Sequence, residues 1–266
     1  MQENAVSRDK TAILDSETKN HIIGTVDRNQ TEREKGSTNM YSKETLRKYV
    51  STIKSAIRKY RTDIETGEIL KVRFSYGNRK IGKTLNISTA PIITCGNCKE
   101  CLHECYDIKA CMQYENVRNA RAINTAILQH DRDEFFRQIS EKITRRKVNK
   151  FVRFHVAGEI IDSDYLWRMI IIAQNHPEAT IWTYTKMYPL VNAYIKIHGA
   201  LPENLHIMFS IWEGVPMDNP YNLPTFRAIP KDCEPLNYFK CPGNCDYCKE
   251  HNTGCVAGQS AWTYLH

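Results

Sequence analysis

The distribution of cysteine constrains this chain more than any other feature. All ten lie in two knots: Cys95, Cys98, Cys101, Cys105 and Cys111, then Cys233, Cys241, Cys245, Cys248 and Cys255, with none between 112 and 232. In a reducing compartment, thiols two or three residues apart are metal ligands before they are disulfides. A secreted disulfide framework is the lesser alternative. At 266 residues, 41% of them hydrophobic, the chain can bury a core of its own, which excludes a peptide or a wholly disordered protein. No stretch approaches the roughly 18 apolar residues of a membrane helix, and the opening MQENAVSRDK lacks the apolar segment of a secretory leader. The expectation is a cytoplasmic protein with no membrane partner.

The first knot reads C-x2-C-x2-C-x3-C from Cys95 to Cys105, with Cys111 six residues on. This is the ferredoxin-type spacing for a 4Fe-4S cluster, although Tyr106 stands where such ferredoxins carry proline. Gaps of two residues let a loop curl around one metal centre, whereas a helix would send the thiols to different faces. Zinc competes, since CxxC pairs ligate it in knuckles and ribbons, and unligated thiols are the third reading. The second knot has C-x3-C-x2-C at Cys241, Cys245 and Cys248, with Cys233 or Cys255 to complete four ligands. Radical S-adenosylmethionine enzymes hold their cluster by the same spacing, but ahead of their barrel, and here only 18 residues follow Cys248. The second knot is therefore expected to be an auxiliary or structural site, iron–sulfur or zinc.

Residues 1–40 are polar without apolar periodicity and are expected to form a disordered tail. From Tyr41, with Ser42 as a cap, Leu46, Tyr49, Val50, Ile53, Ala56, Ile57 and Tyr60 recur at three- and four-residue steps, the pattern of an amphipathic helix. Two β-rich runs around Gly77-Asn78 suggest a hairpin or a pair of strands. Glu115–His130 and Asp133–Lys147 read as helices. Beyond them, strands (Phe151–Val156, Thr180–Thr185, Leu205–Trp212) alternate with helices (Asp164–Gln174, Pro189–His198). Such alternation implies βαβ units with right-handed crossovers. The fold class expected is thus α/β: a partial (βα) barrel or open parallel sheet over 41–230, with a C-terminal Cys-rich metal module, 231–266, appended to it rather than extending the sheet.

In parallel sheets, ligands bind beyond the carboxyl ends of the strands. Here the strand at 84–88 leads into the first knot, and 151–156 ends in His155 before Ala157-Gly158-Glu159, Asp162 and Asp164. The strand at 180–185 ends in Thr183, Tyr184, Thr185 and Lys186, and 205–212 ends in Ser210, Trp212 and Glu213. Taken singly, His155 reads as a satisfied strand histidine, Glu159 as a helix cap and Lys186 as solvated. Together on one rim, Gly158, Glu159, Thr183, Lys186 and Ser210 are candidate cofactor-binding residues.

Charge is uneven. Residues 1–154 hold 30 Lys and Arg against 19 Asp and Glu, whereas 155–266 hold 7 against 11. The excess concentrates in 43–61, 71–83 and 142–150. These stretches read first as solvated helix faces and second as a surface for phosphate backbones.

The order KTLNIS, a Cys-rich loop ending in CY, FVRFHVAGEI and then WTYTK resembles the gene product 88 family of phages and mobile elements. More loosely it is similar to the phage family of gene products 37 and 68. Both resemble radical S-adenosylmethionine enzymes. The resemblance spans about residues 70–215. It implies that Cys98, Cys101 and Cys105, with Tyr106, occupy a cluster loop. It further implies that Gly158 and Glu159 match a Gly-Gly-Glu element holding the amino group of S-adenosylmethionine, and that Ser210 faces the sulfonium and ribose. The chain departs in the gaps of its first knot and in carrying Ala157-Gly158 instead of a glycine pair.

Two functions of different class follow as expectations. One is an iron–sulfur protein, with one or two 4Fe-4S clusters and a radical S-adenosylmethionine-like site for an unknown substrate and electron donor. The other is a zinc-binding, nucleic-acid-binding or accessory protein of a mobile element. Walker, G-x-S-x-G and H-E-x-x-H motifs are absent from the sequence, which disfavours a conventional hydrolase.

Overall fold

The structure, a computed structural model, describes residues 41–96, 101–102, 105–145 and 150–265. The 1–40 tail, Cys98, His103 and the middle of the 142–150 basic stretch lie outside the described residues.

Helix α1 (Lys43–Glu65) starts where Ser42 accepts the Thr45 N–H through its hydroxyl, 3.1 Å away. Leu46, Tyr49, Ile53 and Ile57 bury its inner stripe, against Ile108 and Cys111 of α2 (Tyr106–Gln113) and Ala122 and Ala126 of α3 (Glu115–His130). Helix α4 (Arg132–Thr144) is capped by Asp131, which accepts the Glu134 N–H at 2.9 Å.

The sheet has six parallel strands in the order of the chain, β1 (Leu85–Ile87), β2 (Phe151–Phe154), β3 (Thr180–Thr185), β4 (Leu205–Ile211), β5 (Thr225–Ile229) and β6 (Ala261–Tyr264). Strands β1 and β6 are its edges, so the sheet is open. The crossovers between β1 and β4 place their helices on one face of the sheet, and the β5–β6 connection lies on the other. On that face Leu85, Ile87, Val152, Phe154, Ile181, Leu205, Ile207 and Phe209 form one core with residues of α3, α4, α5 (Ser163–Asn175) and α6 (Tyr188–His198). Each large apolar side chain buried there contributes about 1.5–3 kcal/mol. The opposite face carries Phe151, Trp182 and Tyr184, packed against Cys248, Cys255, Val256 and Phe239 of the C-terminal segment.

Three expectations need correction. The hairpin around Gly77-Asn78 reduces to one antiparallel bridge, Ser75 to Asn86, closed by two backbone hydrogen bonds of 3.2 and 2.8 Å. Strand β2 stops at Phe154 because His155 turns left-handed, φ 56°. The last segment is not merely appended: β6 pairs in parallel with β5, and the second knot, with helix α7 (Cys245–Glu250), lies between those two strands in sequence.

Candidate functional site

At the carboxyl ends of β1 and β2 the two following loops interlock. The Thr89 N–H donates to the Ala157 carbonyl at 3.0 Å, and the Thr89 and Thr94 hydroxyls lie 2.8 Å apart. Gly158 sits between them at φ 94°, where an added Cβ would stand 2.0 Å from Thr89 Oγ1. Close approach of the loops therefore explains the glycine. Ile92 and His155, on the same loops, hold φ of 68° and 56°. Non-glycine residues in that region cost of order 1–3 kcal/mol each, and such strain gathers at functional sites.

Glu159 is 6% exposed. Its Oε1 accepts the Ile160 N–H at 2.8 Å and its Oε2 the Lys186 N–H at 2.9 Å, which ties the β2 loop to the β3 loop. Burial raises its pKa, opposed by those hydrogen bonds and the Lys186 charge. The cap of α5 is instead Asp162, which accepts the Tyr165 N–H at 2.8 Å, so Glu159 is not a helix cap. Burial disfavours the Lys186 ammonium, but Cys101, Glu159 and Cys95 outweigh it and raise its pKa. The ammonium also lies 5.3 Å from the ring centre of Trp212.

Ser210, next to last in β4, has its hydroxyl accepting from Trp212 Nε1 at 3.1 Å and its carbonyl accepting from the Tyr188 hydroxyl. Burial, then Glu159 and Cys101, push the Tyr188 hydroxyl up to about 12. Thr183 lies deeper than the rim. Its fully buried hydroxyl meets His155 Nδ1 at 2.8 Å, while His155 Nε2 meets the Tyr165 hydroxyl at 3.0 Å.

The first knot adjoins this rim. A Cβ on Gly96 would touch the Met187 thioether at 3.4 Å, and Cys95 and Cys101 lie within electrostatic reach of both Lys186 and Cys105. Cys105 immediately precedes α2, and burial pushes its thiol up to about 12 against N–H donors from Ile108 and Asp107. Cys111 points elsewhere. Its thiol lies 3.6 Å from Asp107 Oδ2 in the α1–α3 core, and Asp107 in turn pairs with Arg121 at 3.0 Å.

In the second knot, Cys241, Cys245 and Cys248 influence one another electrostatically, as do Cys241, Cys245 and Cys255. Burial pushes the Cys255 thiol up to about 12, opposed by the Tyr184 hydroxyl, and Cys248 up to about 11. Cys233 is exposed and stands in neither group. Among the described residues no three His, Cys, Asp or Glu side chains converge closely enough to hold a metal ion as they stand. The donor sets nevertheless suit a thiophilic metal in kind, being thiols that form no disulfide, with amide donors at one knot and a buried tyrosine at the other.

Sequence reading missed Tyr188, and it missed Arg153, Asn86 and Ser88 on the face opposite the helices. A charged or amide side chain inside the runs FVRFHV and KTLNIS, otherwise composed for burial, was the available signal.

No helix among the described residues is long and apolar enough to cross a membrane. The family model described as Gene product 88 matches residues 59–220, more than half of the chain, including the first knot and the rim but not the second knot. No curated protein and no solved structure matches the chain.

Proposed function

The chain belongs to the gene product 88 family, and from that premise we propose that it is an iron–sulfur protein with a radical S-adenosylmethionine-like site on an unknown substrate. The observation that supports this reading is the meeting of Cys95 and Cys101 with Lys186 and Glu159 at the carboxyl-end rim of a parallel sheet. Cys98, Cys101 and Cys105 would hold a 4Fe-4S cluster, with Cys95 the neighbouring thiol. When bound, the cluster and cofactor supply one-electron chemistry and hydrogen abstraction.

The chain's own part is placement. Glu159 is fixed by two backbone amides and the Thr185 hydroxyl, which leaves one of its four lone-pair sites for the ammonium of a methionine moiety. The arriving cation would also keep this buried carboxylate ionised. Lys186 balances the negative charge of thiolate ligands beside it, and its aliphatic stem and Trp212 shield the rim from water. Ser210, held by Trp212 and Tyr188, would line the ribose side.

Glu159→Gln removes the charge and keeps the shape. The expected result is loss of S-adenosylmethionine binding in calorimetry with iron content unchanged; binding equal to that of the wild type would overturn the role of Glu159.

A second reading is favoured by one observation. Arg47, Lys48, Arg58, Lys59 and Arg61 are exposed on the outer side of α1. A zinc-stapled nucleic-acid-binding protein would use them on phosphates, with affinity falling steeply as salt rises.

A further inference from the structure

Arg153 lies in the middle of β2 on the sheet face opposite the helices, in register between Asn86 of β1 and Trp182 of β3. Its Nε is shut off from solvent and makes no hydrogen bond. Its guanidinium rests over Tyr184, 4.9 Å from the ring centre. That contact leaves the N–H fork free, since a ring face takes up no specific donor.

Several other arginines among the described residues are matched to carboxylates. Arg121 meets Asp107 at 3.0 Å, Arg132 meets Asp162 and Asp164 at 2.8 Å, and Arg168 meets Asp164 at 2.9 Å. Among the described residues no carboxylate pairs with Arg153. Its neighbours able to carry negative charge are phenols and thiols: Tyr184, Tyr106, Cys245 and Cys255. A half-buried cation whose Nε is shut off from solvent and has no counter-charge is costly, and native folds ordinarily pair such groups.

Two more unsatisfied atoms accompany it. Asn86, 2% exposed, leaves Oδ1 without a donor, and Ser88, 1% exposed, leaves its hydroxyl without a partner. Side chains two residues apart on a strand share a face, so both belong to the β1 side of the strip that Arg153 occupies. Buried polar atoms are ordinarily satisfied, and three orphans, two on adjacent strands and one just beyond β1, ask for a common partner. The strip runs between the two cysteine segments, with Tyr106 after the first and Cys245 and Cys255 of the second around the same guanidinium.

We infer that this strip binds a small molecule carrying an anionic group, a carboxylate or a phosphate, with a hydroxyl or amine beside it. Arg153 takes the anion in its fork; Asn86 Oδ1 and Ser88 Oγ take the adjacent polar group. As a substrate site it rests on the cofactor rim proposed above, and as an anion site it rests on Arg153, Asn86 and Ser88 alone.

The test uses full-length, anaerobically purified protein, with inorganic phosphate and malonate as separate probes at constant ionic strength in chloride. Calorimetry and thermal unfolding are the readouts. Wild type is expected to bind one of the two saturably and to melt higher with it. Binding of phosphate alone points to phosphate esters, and binding of malonate alone to carboxylates. Arg153→Met is expected to weaken binding roughly ten- to hundred-fold, the value of hydrogen bonds to a charged group. Without the anion it should melt no lower than wild type, since it removes a half-buried charge that no carboxylate matches.

Arg153→Lys keeps the charge without the fork and should bind more weakly than wild type. It serves, with Ser88→Ala, if the methionine variant does not fold. Saturation by neither anion, or unchanged affinity in the Arg153 variants, overturns the inference. So does loss of bound metal in Arg153→Met, which would make Arg153 the counter-charge of a metal–thiolate centre at the second knot. Glu159→Gln should keep anion binding, so failure of the cofactor rim and failure of this site are separable.

Discussion

Gly158 and His155 show how much a single residue can fix at the mouth of a parallel sheet. Gly158→Ala meets both a left-handed backbone and an overlap with Thr89. Together these should cost about 2–4 kcal/mol in urea denaturation. Adding Thr89→Ala should recover the overlap but not the backbone part. His155 is held neutral, its pKa pushed down to about 3 by burial and then by the Arg153 charge. Its folded value lies below its unfolded one, so its contribution is complete above about pH 6.5 and is lost as pH falls toward 3. The unfolded chain takes the proton first, at about 1.4 kcal/mol per pH unit. His155→Asn, which tolerates the left-handed backbone, should flatten the stability profile by that slope between these limits, measured by denaturant unfolding across pH. An unchanged slope would show that His155 is not the titrating group.

At the scale of elements, α2 is attached to α3 by Asp107 and Arg121, whose side chains are 4% and 13% exposed. Asp107→Ala would leave a buried guanidinium uncompensated and release the Cys111 thiol, so a loss of about 3–5 kcal/mol is expected in guanidinium unfolding followed by circular dichroism. Helices such as Glu115–His130 were legible because a long apolar stripe at 3.6-residue spacing has few rivals. Strands β2 to β4 were legible from apolar runs punctuated by helices. TFRAI and AWTY, strands β5 and β6, were not, because each is four or five residues long and set among Pro, Asn, Gly and Cys. Their pairing is decided by the neighbouring strand and not by their own pattern. The end of β2 was misjudged for a related reason: the positive φ of His155 comes from the interlocked loops and leaves no local signature.

Over the whole molecule, the sheet brings the first knot, Glu159, Lys186 and Ser210 to one end, and it sets the second knot against the opposite face through Trp182 and Tyr184. Adjacency at the carboxyl ends was legible because topology alone dictates it. The direction of individual side chains was not: Thr183 and Cys111 turn into the helix-side cores, whereas Arg153, Asn86 and Ser88 turn to the other face. The family match covers the first knot and stops before the second. On the function proposed above, the chemistry shared by the family would lie at the first knot and its rim. The most direct measurement is iron, acid-labile sulfide and zinc per chain in protein purified without oxygen. An iron–sulfur centre at the first knot predicts about four iron and four sulfide per chain, or about twice that if both knots are filled. Stoichiometric zinc without sulfide would contradict it and leave the basic face of α1 as the better guide to function.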